Sequence, residues 1–176
     1  MKTRLKSPAC QLALAALAAL ALQPAPAQSE FRVVAMPDTQ NYTTDNPGGF
    51  YAQTQWIADN AASLNIGFVT HLGDFVQNHD FENQWAIARQ AMDTLDANDI
   101  PWGGIPGNHD FLYGNGPADF SGTRYRRDFG PQRFVGKPWY RGHSPSELSN
   151  SQVINFGTPQ APFEILFLHL KLEHPA

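Results

Sequence analysis

Three short polar blocks hold the residue types in this chain that could do chemistry: Asp38-Thr39-Gln40, Gly73-Asp74 and Gly107-Asn108-His109-Asp110. Each carries a carboxylate or an amide oxygen, and the last adds an imidazole. Concentrated oxygen donors suit hard divalent cations, and a neighbouring histidine can move a proton. Taken singly, each block also has an ordinary reading, because Asp and Asn after a strand are turn residues that hydrogen-bond their own backbone. Their order, each behind an apolar run, is what sets the combination apart.

Residues 31–36 form an apolar run with two valines, closed by Pro37 and Asp38, as a buried strand ending in a loop would be. A turn over 46–49 precedes Tyr51, from which Ala52, Trp56, Ala61 and Leu64 recur at helical spacing. Residues 66–72 predict a second strand, stopping at Gly73 and Asp74. Phe81, Trp85, Ala88, Met92 and Leu95 then mark one face of a second helix, with Asp80 placed to cap it. Residues 100–105 predict a third, weaker strand. Strand-helix-strand-helix-strand implies an α/β fold with a parallel sheet, right-handed crossovers and ligands at the carboxyl ends of the strands. Asp38, Asp74 and Asn108 are thereby expected on one edge of the sheet, and Trp56, Trp85 and Met92 in the core.

After Asp110 come a Gly-rich loop over 114–122, a basic stretch with Arg124, Arg126, Arg127 and Arg133, and a Ser-rich turn over 144–151. The arginines fit a phosphate contact or a solvated loop. Residues 153–156 and 163–168 predict two more strands, possible partners in a hairpin. His71 reads as a packed residue or one supporting a ligand. His79, His143, His169 and His174 carry no spacing signal and are expected at surface or loop positions.

Lys2, Arg4 and Lys6 precede a run of Leu and Ala over 12–22, too short to span a bilayer as a helix of ~20 residues, and Ala25 and Ala27 fit a signal-peptidase site. A signal peptide over 1–27 is expected, with export to the periplasm or beyond the cell and no membrane span left after cleavage. An uncut anchor is the alternative. Cys10 would leave with the signal, so no disulfide framework remains. Removal would also take three of the twelve basic residues and leave sixteen acids. That balance argues against a nucleic-acid surface.

The three blocks resemble the D-x-H, G-D and G-N-H-[DE] motifs of the calcineurin-like metallophosphoesterases, over the chain from Phe31 onward. The resemblance implies the first half of a four-layer αββα sandwich and a two-metal hydrolase of phosphomonoesters or phosphodiesters. It implies two divalent ions of the Fe, Mn or Zn type, with Asp74 bridging, Asp38 on the first metal and Asn108 on the second. It further implies that His109 stands beside the phosphate as acid or transition-state stabiliser, with Asp110 orienting its ring. The alternative for His109 is a turn histidine fixed by Asp110.

Two departures from the family stand out. Gln40 replaces the usual histidine, and its oxygen is a weaker ligand for zinc or iron. The family's later histidine and its G-H-x-H block do not occur in these 176 residues. The expectation is therefore a partial domain over 28–176, truncated at its C-terminus, with an exposed apolar sheet face. Its alternative function is a non-catalytic fragment with at most weak metal binding. A third reading, a carbohydrate-binding module using Trp102, Trp139 and Tyr140, leaves the three polar blocks unexplained.

Overall fold

The computed structural model describes residues 30–159 and 161–171. The expected signal peptide, Cys10 and His174 lie outside them. The described elements are β1 (Arg32–Met36), α1 (Pro47–Asn60), β2 (Ile66–His71), α2 (Glu82–Ala97), β3 (Trp102–Gly104), α3 (His109–Leu112), α4 (Thr123–Phe129), β4 (Tyr140–His143), β5 (Asn150–Thr158) and β6 (Ala161–His169). Short 3₁₀ turns add Gln40–Thr43 and Pro131–Arg133.

The α/β reading holds. Strands β1, β2 and β3 form a parallel sheet in that order, with Met36 opposite His71 and His71 opposite Gly104. The parallel register puts Asp38, Asp74 and Asn108 beyond the same ends of neighbouring strands. A second sheet, β4-β5-β6, is antiparallel, and β5 and β6 pair from Asn150–His169 to Thr158–Ala161. The hairpin is therefore present and longer than its apolar runs; β4 carries little apolar signal and is an addition.

The two sheets meet face to face. Phe68 of β2 stacks on Phe167 of β6 with ring centroids 4.0 Å apart. Gly103 is needed in this seam, because a Cβ there would lie 2.7 Å from His169 and 2.8 Å from Gln152. On the other face of β2, Phe50 of α1 approaches His71, and α1 packs on α2. The outward face of β6 leaves Leu166 and Leu168 more than half exposed, so an exposed apolar face is present. Among the described residues no helix is long and apolar enough to cross a membrane.

Both helices differ in detail from the sequence reading. α1 starts four residues early, because Asn46 caps it by accepting from Gly49 N at 3.0 Å and Pro47 fits the first turn. Its buried residues are Phe50, Thr54 and Ile57, so Trp56 points away from them and is 52% exposed, not core. The α2 stripe of Trp85, Ala88, Met92 and Leu95 is fully buried. Asp80 does not cap it: Phe81 is the N-cap, and the Asp80 carboxylate instead accepts from Asn115 N and Gly116 N at 2.9 and 2.8 Å, pinning the Gly-rich loop.

The arginines form ion pairs around α2 and α4. Arg127 pairs with Glu82 and Asp128, Arg133 with Asp93, Arg124 with Glu82 and Arg126 with Glu147. Trp102 and Trp139 are buried, which removes two of the three aromatics from any sugar-binding face.

His169 is a correction. It is buried between the sheets, its Nε2 2.9 Å from Thr70 Oγ1 and its Nδ1 2.9 Å from Gln152 Oε1. Burial lowers its pKa to about 4, and burial with the nearby His169 charge lowers that of His71 to about 3. Below pH 6.5 the unfolded chain therefore takes up protons that the folded chain does not. Stability from these histidines is present above pH 6.5 and lost as pH falls through the folded values. Urea titrations at pH 6.5 and 4.5 should show a loss on the order of 2 kcal/mol per histidine. His169→Gln should remove one such share of the pH dependence; an unchanged dependence would contradict a buried neutral His169.

Candidate metal centre

Beyond the strand ends, Pro37, Asp38, Leu72, Gly73, Asp74, Gly107 and Asn108 line one cleft of about 380 Å³. The convergence read from the three blocks is therefore real. Backbone hydrogen bonds hold the first two loops together: Leu72 N donates to Met36 O at 3.0 Å and Thr39 N to Asp74 O at 3.2 Å.

Asp74 sits at the turn of the second block. Gly73 has φ +103° and Asp74 φ +53°, a left-handed pair that glycine takes freely and that Asp tolerates. The turn sends the Asp74 carboxylate toward the third block, where Oδ1 accepts the His109 backbone N–H at 2.7 Å. Gly107 makes the approach possible, since a Cβ there would lie 2.1 Å from Asp74 Oδ1 and 2.5 Å from Asp74 N. Burial raises the Asp74 pKa; the His109 N–H and ring charge oppose the rise, and the Asp38 charge adds to it. The Asp38 charge acting on Asp74 marks a place where a cation would relieve repulsion.

Asp38 is exposed at the cleft and is gripped by its neighbour: Gln40 N donates to Oδ1 and Gln40 Nε2 to Oδ2, both at 2.9 Å. This grip fixes which end of the Gln40 amide is oxygen. Gln40 Oε1 is buried without a hydrogen-bond partner. Asn108 occupies the N-cap position of α3 yet makes no side-chain cap bond, which leaves its amide for the cleft. Among the described residues no three His, Cys, Asp or Glu side chains gather as a metal-ligating group. The cleft's donors are the Asp38 and Asp74 carboxylates and the Asn108 amide, with Gln40 beside Asp38, a set of hard oxygens that fits divalent cations.

His109 lies beside the Asp74 carboxylate, with Nδ1 2.9 Å from Gln77 O and its ring stacked on Tyr113 at 4.0 Å. A carbonyl only accepts, so Nδ1 carries a proton and Nε2 is the nitrogen left for chemistry. Gln77 acts through its backbone, which no side-chain pattern could have announced. Tyr113 directly follows α3, ahead of the Gly-rich loop, and stands in no motif that would announce it.

Asp110 does not orient the His109 ring. Asp110 is 2% exposed, and its carboxylate accepts from three backbone groups: Phe75 N and Gly107 N on Oδ2, Val76 N on Oδ1, at 3.2, 2.8 and 3.1 Å. It clamps the second block to the third. His79 lies in a loop, as expected, yet it is 3% exposed, and both ring nitrogens are buried without hydrogen-bond partners. His143 is exposed, as expected.

Asp110→Ala should cost about 3 kcal/mol of stability, because it strands three backbone donors, whereas His109→Ala should cost less than about 1. Burial raises the Asp110 pKa from 3.8 to about 7, so its contribution is fully present below pH 3.8 and is lost as pH rises through 7. Asp110→Ala should abolish that fall. Equal costs for the two variants in urea titrations would contradict the clamp.

The model of the calcineurin-like phosphoesterase family matches residues 31–173. The chain is 40% identical over 130 residues to the uncharacterized protein YvnB of Bacillus subtilis (strain 168), a match covering 74% of this chain and 10% of that protein. The chain thus spans about a tenth of the length of the curated relative it matches. No solved structure matches. A family match over nearly the whole described chain, on a parallel sheet whose three strand ends share one cleft, leads to one conclusion: this protein belongs to the calcineurin-like phosphoesterase family, whose members are metal-dependent.

Proposed function

We propose that this protein contributes the cleft of an exported hydrolase that cleaves phosphomonoesters or phosphodiesters with two divalent cations. The observation that carries the reading is the meeting of Asp38, Asp74 and Asn108 in one cleft, with the His109 backbone N–H on Asp74. The unpaired Gln40 Oε1 beside Asp38 supports it, since a buried amide oxygen without a donor is a site that a cation would satisfy.

Asp38, Gln40, Asp74 and Asn108 would hold the cations, with Asp74 tied by hydrogen bonds to both the first and the third block. When bound, such cations supply hydroxide near neutral pH and draw charge from the phosphoryl oxygens. His109, with Nδ1 tied to Gln77 O, presents Nε2, which can carry a proton to the departing alkoxide. Tyr113 stacked on the ring limits its rotation. The paired basic stretch leaves phosphate binding to this cleft rather than to the arginines around α2. The Leu/Ala run ahead of Ala25 and Ala27 supports export.

A second reading, a cation-binding domain without turnover, draws on Gln40, whose amide hydrogen-bonds Asp38 where the family resemblance has histidine. The two readings separate in one assay. With Mn²⁺, the protein should hydrolyse p-nitrophenyl phosphate or its diester, and Asp74→Asn and Asn108→Ala should each lower kcat/KM at least about 100-fold. Manganese binding without turnover would favour the second reading, and turnover that survives both substitutions would overturn the first.

A further inference from the structure

His71 stands between the two carboxylate-bearing loops without facing the cleft as a donor. It is 0% exposed, its ring stacks on Phe75 at 3.7 Å and 11°, and both nitrogens are engaged. Nδ1 receives the Gly73 backbone N–H at 3.2 Å, and Nε2 lies 3.0 Å from Thr39 Oγ1. Thr39 sits between Asp38 and Gln40; Gly73 precedes Asp74. We propose that His71 is the positioning residue of this centre: a neutral ring that sets the separation of the Asp38 and Asp74 carboxylates by holding Thr39 with one nitrogen and Gly73 with the other. The inference rests on the reading that those carboxylates hold cations.

The tautomer follows from the partners. A backbone N–H can only donate, so Nδ1 is the lone-pair nitrogen, and the single proton of the neutral ring sits on Nε2 and is given to Thr39 Oγ1. Burial keeps the ring neutral through the physiological range, with its pKa lowered to about 3. With both nitrogens committed, His71 is no ligand. It is a spacer of fixed length, because the Phe75 stack and Phe50, 6.3 Å away, leave the ring little room to move.

The span it bridges is short on both sides. Thr39 is 0% exposed and its own N–H already reaches Asp74 O, so its hydroxyl is a second, independent tie from the first loop to the second. Gly73 is confined as well: a Cβ there would lie 3.0 Å from Gly107 N, so a shift of Gly73 would be felt in the third block. Loosening the imidazole would let the first loop slide against the other two, which widens the gap a bridging carboxylate must span. Supporting residues of this kind cost 10- to 100-fold in metal affinity when removed, by the usual range.

The test is Mn²⁺ binding by isothermal titration calorimetry on the whole protein, with melting temperatures measured without metal. Thr39→Val keeps the shape and removes the acceptor; Thr39→Ser keeps the acceptor; His71→Phe keeps the ring and removes both ties. Thr39→Val and His71→Phe should each weaken Mn²⁺ binding about 10- to 100-fold, and the double variant no further than His71→Phe alone. Thr39→Ser should stay within about threefold of the wild type. If His71→Phe fails to fold, the Val/Ser contrast at position 39 decides alone. Lower melting temperatures with unchanged affinity would overturn the positioning role, leaving His71 structural only. A wild-type protein that binds no Mn²⁺ would instead overturn the metal reading beneath it.

Discussion

The loops that leave β2 and β3 have no secondary structure of their own to keep them in contact, and a buried carboxylate does that work. Asp110 collects backbone N–H groups from Phe75 and Val76 on one loop and Gly107 on the other. A buried acceptor surrounded by donors is costly to break, since every donor would then lack both water and partner. Once the two loops are pinned, the left-handed turn at Gly73 and Asp74 can aim the Asp74 carboxylate at the His109 N–H, and Gly107 leaves room for the approach. The first loop, with Asp38, joins them through Thr39. The cleft is thus a consequence of backbone hydrogen bonds rather than of the polar side chains that line it.

The legible part of the sequence was what repeats with a period or ends abruptly. Apolar runs closed by Pro37, Gly73 or Pro106 marked the parallel strands, and the Trp85 to Leu95 stripe marked α2, because burial enforces those patterns. The convergence of three strand ends followed from topology. What remained hidden depends on partners distant in sequence. Asp110 looked like the partner of the adjacent His109 but faces backbone from residue 75, and Asp80 looked like a cap but holds residues 115 and 116. His169 lacked any spacing signal because its partners, Thr70 and Gln152, come from different strands in two sheets. Trp56 misled because tryptophan suggests core, whereas the buried face of α1 is set by Phe50, Thr54 and Ile57.

The seam between the sheets extends the same logic. Thr70, His169, Gln152 and Asn150 form a buried hydrogen-bonded chain ending on Gly104 O, at the end of β3 that leads to the third block. His71 faces the other side of β2 and ties the first two loops. The carboxyl end of β2 is therefore braced on both faces by neutral histidines. Rigid support at the base of a cation site is what oxygen ligands need, because their selectivity depends on holding donors at fixed separation.

The chain belongs to a metal-dependent phosphoesterase family, and the proposed cation donors at this sheet edge are oxygens from Asp38, Gln40, Asp74 and Asn108. The most direct test is a crystal grown with Mn²⁺ and measured at a wavelength where manganese scatters anomalously. The account predicts anomalous density within coordinating distance of the Asp38 and Asp74 carboxylates, with Asn108 in the same shell. Manganese bound elsewhere, with those carboxylates unligated, would contradict it.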